Sequence, residues 1–210
     1  MKNSIKNIIF DLGGVLFDIN YNLTAEAFEK LGVKDFKSIF AKKGQADVID
    51  RLEEGKIGLE QLTKELSSLC GLTLSEKEVV DAWNVMLFNI PAERFILLEE
   101  LRKKYRIFLY SNINEIHEIG VHERLQEKHG IPNLENHFEK VYYSHLIGIR
   151  KPNKDGFLHI LNDQQINAHE TLFIDDSPQH VEGAKNAGLH AVWLDLDKQD
   201  IHGLIQELEL

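Results

Sequence analysis

A short apolar run, Ile8-Ile9-Phe10, ends on the carboxylate of Asp11, and the chain then enters two glycines, Gly13 and Gly14. An apolar run bounded this sharply reads as a strand covered on both faces, as parallel sheets require. A carboxylate at the end of such a strand is costly unless it has a partner. Glycines let the backbone approach a bound group closely and adopt positive φ. Alone, this is a strand followed by a turn. Two further stretches repeat the pattern: Arg106–Tyr110 runs into Ser111-Asn112, and Thr171–Ile174 runs into Asp175-Asp176. Three apolar runs therefore deliver polar groups at their C-terminal ends, the edge at which open α/β sheets bind ligands.

The rest of the chain fits that frame. Leu16 to Tyr21 is short and mixed, a turn or small flap. From Leu23 to about Asn89 apolar residues recur at threes and fours (Ala25, Phe28, Leu31; Leu59, Leu62, Leu66), which predicts helices and no strand. Thr24, and Thr73 or Ser75, are the expected N-caps. This block of roughly sixty-five residues is longer than one crossover needs, so it reads as a helical cap inserted in the core. The core itself is predicted as residues 1–20 and 90–210, with the cap at 21–89. Beyond the cap the pattern predicts a helix from Pro91 to Lys104, strands at 106–111, 138–144, 171–175 and 191–194, and helices between them. The fold class is α/β: a Rossmann-like three-layer core around a parallel five-stranded sheet.

Bulk properties narrow the function. A net charge of −10 argues against nucleic acid or an anionic membrane as partner, and means that an anionic substrate would need a local cation. The single cysteine, Cys70, excludes an intrachain disulfide and fits a reducing compartment. Met1-Lys2-Asn3-Ser4 leads directly toward the first strand, and no apolar run approaches a membrane span, so the expected location is cytoplasmic. The protein is expected to be a monomer or dimer.

The motifs Asp11-Leu-Gly-Gly-Val, Tyr110-Ser-Asn, Gly148-Ile-Arg-Lys-Pro and Asp175-Asp-Ser-Pro-Gln-His-Val-Glu-Gly-Ala, in this order, resemble the haloacid dehalogenase-like hydrolases. The likeness is to the subgroup with a helical cap between the first two motifs, and in look to bacterial α-D-glucose-1-phosphate phosphatase-like members. It covers essentially the whole chain. It implies a strand order of 5-4-1-2-3, Mg²⁺ as cofactor, and hydrolysis of a small phosphomonoester, a sugar phosphate or sugar 1-phosphate, through an aspartyl-phosphate on Asp11. Ser111 and Lys151 match the second and third motifs and would act with Asp11 in catalysis. Ser111, Asn112 and Lys151 would contact the phosphate. Asp11, the Gly13 carbonyl and Asp176 would ligate the metal, with Asp175 behind them, although Asp175 and Asp176 could exchange roles. The chemistry is coherent, because an anionic nucleophile and an anionic phosphate need a cation between them.

Blander readings stand beside these. Asp175-Asp176 could be a helix N-cap, Lys151 a solvated loop lysine, and Arg150 a structural ion pair. His117 and His122 follow the second motif and could face the site, but read first as a solvated helix face, and His180 reads as a local hydrogen-bonding position. Trp83, Met86 and Phe88 read as cap–core packing.

One position departs from the resemblance. Most phosphatases of this kind carry a second Asp two residues after the nucleophile, where this chain has Gly13. General acid–base help is worth roughly 10²–10⁴ in rate, so the acid comes from the cap or the substrate, or the leaving group is an activated one such as an anomeric oxygen. The competing expectation is a catalytically weak fold that senses phosphometabolites or binds a protein.

Overall fold

The computed structural model describes residues 5–33, 36 and 46–210. Met1–Ser4, and with them the reading of how the chain approaches its first strand, lie outside the described residues, as do 34, 35 and 37–45 of the expected cap. Five parallel strands form the central sheet: β1 (Asn7–Phe10), β4 (Arg106–Ser111), β5 (Lys140–Tyr143), β6 (Thr171–Asp175) and β7 (His190–Trp193). Their spatial order is β5-β4-β1-β6-β7, which is the expected order read from the opposite edge.

Period-two alternation sorts the strand residues onto two cores. Ile8 and Phe10 of β1, with Ile107, Leu109, Leu172 and Ile174, belong to a core shared with α5 (Ala92–Leu101), α6 (Glu115–His129) and α10 (Ile201–Glu207). Ile9, Phe108, Tyr110 and Phe173 face the other way, onto α8 (Lys154–Gln164) and α9 (Pro178–Asn186). The short helix α7 (Ser144–Ile147) follows β5. Each fully buried Ile, Leu or Phe contributes about 1.5–3 kcal/mol, so the sheet is anchored from both sides and its C-terminal edge is a firm platform.

The first four described helices after β1 build a third core of their own. These are α1 (Tyr21–Lys30), α2 (Ala46–Glu53), α3 (Leu59–Cys70) and α4 (Glu76–Asn84). Phe28, Leu52, Leu62, Leu66, Val79 and Trp83 pack there, with Ile116 of α6 as the contribution from below. Ser75 caps α4 in a reciprocal box with Glu78. The cap of α1 is Asn20 rather than Thr24, whose hydroxyl instead donates to the Trp83 carbonyl from inside the helix.

The expectation of no strand between 23 and 89 is corrected: β3 (Leu87–Asn89) pairs antiparallel with β2 (Asp18–Ile19) where the chain enters and leaves the helical block. Neither run is long enough to show alternation, and their partners lie some seventy residues apart, so local pattern carries no signal for them. Trp83 packs as expected and Met86 joins the sheet core, but Phe88 faces solvent.

Candidate active site

Register brings the site together. Phe10 stands opposite Leu109 on one side and Ile174 on the other, so the next residues along, Asp11, Tyr110 and Asp175, lie level at the sheet's C-terminal edge. The Asp11 N–H continues the ladder by donating to the Ile174 carbonyl at 2.9 Å. Ser111 ends β4 one residue further on, beside the same edge.

Lys151 reaches this row from the loop after α7, and its side chain is 0% exposed. Its ammonium donates to Asp11 Oδ1 at 2.5 Å and to Asp175 Oδ2 at 2.7 Å. Burial works against that charge, but the two carboxylates hold the ammonium protonated above the ordinary lysine range. The reading of Lys151 as a solvated loop lysine is thereby excluded.

Asp175 spends its oxygens inside the protein: Oδ1 accepts the Ser177 N–H at 2.7 Å, and His180 Nδ1 lies 3.0 Å from Oδ1 and 3.1 Å from Oδ2. Burial alone would raise its pKa, yet Lys151 and His180 hold it down at about 2. His180 is thus the local hydrogen-bonding position that its spacing predicts. Asp176, with no such partners, is pushed up by burial and by the charge of Asp175. Burial and the neighbouring carboxylates Asp175 and Asp176 outweigh Lys151 at Asp11 and raise it to about 7.

Three carboxylates against one ammonium make a strongly cation-seeking pocket. Asp11, Asp175 and Asp176 each place an oxygen within 4.8 Å of the others. The donor set is all oxygen, which suits a hard divalent ion such as Mg²⁺. Since Asp175 is committed to Lys151, Ser177 and His180, the oxygens open to an ion are those of Asp11 and Asp176 and the Gly13 carbonyl, which no described residue uses. Gly14 lets Asp176 take its place: its φ is +79°, and a Cβ there would lie 2.3 Å from Asp176 Oδ2.

Asn112, the expected auxiliary phosphate contact, also serves the lysine loop. Its amide grips the Lys151 backbone, donating to the carbonyl at 2.9 Å and accepting the N–H at 2.8 Å. It lines the cavity and holds the lysine loop in place.

Above these groups lies a cavity of about 450 Å³, within the range that encloses a small ligand. Asp11, Gly13, Ser111 and Asp176 line its floor. Phe17, Met86, Leu87 and Val121 form an apolar wall, while Tyr21, Glu53 and His117 supply further polar groups. His117 contradicts its reading as part of a solvated helix face. Its Nε2 lies 3.1 Å from the Trp83 carbonyl and its Nδ1 3.4 Å from the Asn114 amide nitrogen, partners that suit the neutral ring with the proton on Nε2. Burial lowers its pKa to about 4. His122 lies outside this cavity, with a buried Nε2 that meets no described partner.

Tyr21, Glu53 and His117 are the lining residues that sequence reasoning missed or misplaced. The available signal for His117 was its position one turn into the helix that starts at the sheet edge. Glu53 and Tyr21 carried none, because their approach depends on how the upper helices dock.

The chain is similar to known hydrolases. A model of the haloacid dehalogenase-like hydrolases matches residues 5–188. A D-ribitol-5-phosphate phosphatase of Bacteroides thetaiotaomicron is 33% identical over 184 residues, covering 88% of this chain and 89% of its own length. A haloacid dehalogenase family enzyme from the same organism, solved with magnesium and inorganic phosphate, superposes with a TM-score of 0.82 at 30% identity, over 95% of this chain and 98% of that one. A hydrolase structure from Porphyromonas gingivalis, described as haloacid dehalogenase-like, gives 0.85 at 35% identity, over 99% of both chains.

Proposed function

The chain belongs to the haloacid dehalogenase-like hydrolases and is a phosphoric monoester hydrolase, and from that premise we propose that it releases phosphate from a small sugar or polyol phosphate through an aspartyl-phosphate on Asp11. The observation that carries this reading is Lys151, buried and bound to Asp11 beneath a cavity that Asp176 and Ser111 also line. With its Oδ1 held by Lys151, Asp11 has Oδ2 available to attack phosphorus. A P–O bond forms there as the bond to the leaving alcohol oxygen breaks, and that oxygen takes up a proton. Water then attacks phosphorus, the Asp11–phosphorus bond breaks, and inorganic phosphate leaves.

The Ser111 hydroxyl, the Lys151 ammonium and the N–H groups of Leu12 and Gly13, which no described residue takes, are the phosphate donors in this reading. Asp11, Asp176 and the Gly13 carbonyl would hold Mg²⁺, which when bound neutralises phosphate charge beside the nucleophile. Asp175 and His180 keep Lys151 charged and aimed. Residues 21–89 act as a cap over a core of 1–20 and 90–210, excluding bulk water from the cavity.

Gly13 offers no side chain to protonate the leaving oxygen, and a Cβ there would meet Ile19 Cδ1 at 2.9 Å. An anomeric phosphate, whose oxygen departs more readily, fits this arrangement. The relative's named substrate, ribitol 5-phosphate, is the alternative within the same polyhydroxylated class.

The test is Mg²⁺-dependent phosphate release from α-glucose 1-phosphate, glucose 6-phosphate and ribitol 5-phosphate, with Asp11→Asn beside wild type. Release by wild type and none by Asp11→Asn is expected. Silence of wild type on every phosphomonoester would sink the reading. Equal or faster release from glucose 6-phosphate than from glucose 1-phosphate would sink only the leaving-group argument at Gly13.

A further inference from the structure

The cavity has one polar feature that phosphate chemistry leaves unexplained. Glu53, the last residue of α2, lines it alongside the carboxylate row's Asp11 and Asp176. Its side chain is mostly buried, and burial raises its pKa even with Arg150 alongside. Arg150 places both Nε and Nη2 2.8 Å from one carboxylate oxygen, Oε2, and turns Nη1 onto Asp50 Oδ1 at 2.7 Å. Oε1 is left with no partner among the described residues. The geometry is that of an acceptor fixed at one oxygen and presented at the other, and the fixing residue directly precedes Lys151 in the chain.

We infer that Glu53 is a specificity-determining residue that accepts hydrogen bonds from hydroxyls of the substrate's leaving group, so that the cavity selects polyhydroxylated phosphates over alkyl phosphates of the same length. This rests on the phosphatase reading above and extends it to the alcohol half of the substrate. The two-sided lining supports it. Carbon–hydrogen faces of a polyol would lie on Phe17, Met86 and Leu87, while its hydroxyls would turn to Glu53 and Tyr21. A carboxylate can only accept, and hydroxyl groups are the donors that a neutral polyol brings. A carboxylate oxygen lining the cavity and left unpaired by an alkyl chain discriminates more strongly than extra contact does.

The experiment compares kcat/KM for ribitol 5-phosphate and n-pentyl phosphate, which have the same carbon count and differ in hydroxyls. The full chain with Mg²⁺ is used as wild type, Glu53→Gln, Glu53→Leu and Asp50→Asn, with p-nitrophenyl phosphate as a general substrate. Wild type should prefer the ribitol ester. In Glu53→Leu that preference should fall about tenfold or more, chiefly through KM. Glu53→Gln, which keeps an acceptor and the shape of the side chain, should lose less. Asp50→Asn disturbs the same arginine without entering the cavity and should keep the wild-type ratio. A ratio unchanged in Glu53→Leu, or lowered equally in Asp50→Asn, overturns the inference, as does a wild type that turns over p-nitrophenyl phosphate without preferring the ribitol ester. A wild type inactive on all three substrates overturns the phosphatase reading itself, and the inference with it.

Discussion

Replacing Lys151 by methionine removes the one cation buried among the carboxylates while keeping an unbranched side chain of similar length. Asp11 Oδ1 and Asp175 Oδ2 lose partners at 2.5 and 2.7 Å, and with Asp176 they form a cluster whose oxygens lie within 4.8 Å of one another. At that separation two carboxylates repel by about 3.5 kcal/mol at an effective dielectric constant near 20. The cluster escapes part of that repulsion by taking up a proton. Holding a carboxyl of ordinary pKa protonated at pH 7 costs about 4 kcal/mol, which caps the penalty. The figure agrees with the loss of about 3–5 kcal/mol typical when one partner of a buried pair is removed. The expected result is therefore a deficit of about 4 kcal/mol for Lys151→Met in urea unfolding at pH 7 with EDTA.

The sign with pH follows from the same proton. A carboxyl whose folded pKa is raised stabilises the fold relative to neutral pH when the solution is acid enough to protonate it, and that contribution is lost as pH rises through the folded pKa. Asp11 already takes up most of a proton over this range in the wild type, so the deficit should shrink by less than the roughly 2.7 kcal/mol that two pH units at 1.36 each allow. Mg²⁺ at 100 times its dissociation constant should return up to about 2.7 kcal/mol to the variant at pH 7. A deficit under about 1 kcal/mol at pH 7, or one that grows at pH 5, would refute the electrostatic account of the site.

Two further outcomes are expected. Gly14→Ala forces a Cβ into the left-handed region and onto Asp176 Oδ2, so it should cost about 1–3 kcal/mol and weaken Mg²⁺ binding by titration calorimetry; an unchanged affinity would show that Asp176 does not ligate from that position. Because burial lowers His117 to about 4, the folded protein resists its protonation, and stability is lost as pH falls from about 6.5 through 4. That loss, up to about 3 kcal/mol, should be absent from the urea stability profile of His117→Gln, and parallel profiles for the two proteins would contradict the neutral ring.

The sheet and the carboxylate row were legible because both depend on short-range pattern. Each apolar run marks a buried strand, and the residue at which the run stops is carried to the sheet edge by the strand itself, as at Asp11, Ser111 and Asp175. Lys151 came from the resemblance, since nothing about a lysine before a proline in a loop says that it is fully buried. Asn112 was placed in the cavity, but its grip on the Lys151 backbone depends on which loop docks beside β4. The β2–β3 ribbon, His117 and Glu53 share one physical reason for being missed. All three lie where the helical block meets the sheet core, and their partners are Asn89, the Trp83 carbonyl and Arg150. Hydrophobic periodicity reports that a face is buried, not which other face buries it. The carboxylates and the serine proposed to perform the phosphate chemistry sit on one rigid edge and can be read from strand ends. The residue proposed to choose the alcohol belongs to the seam between two cores, whose pairing only the assembled chain determines.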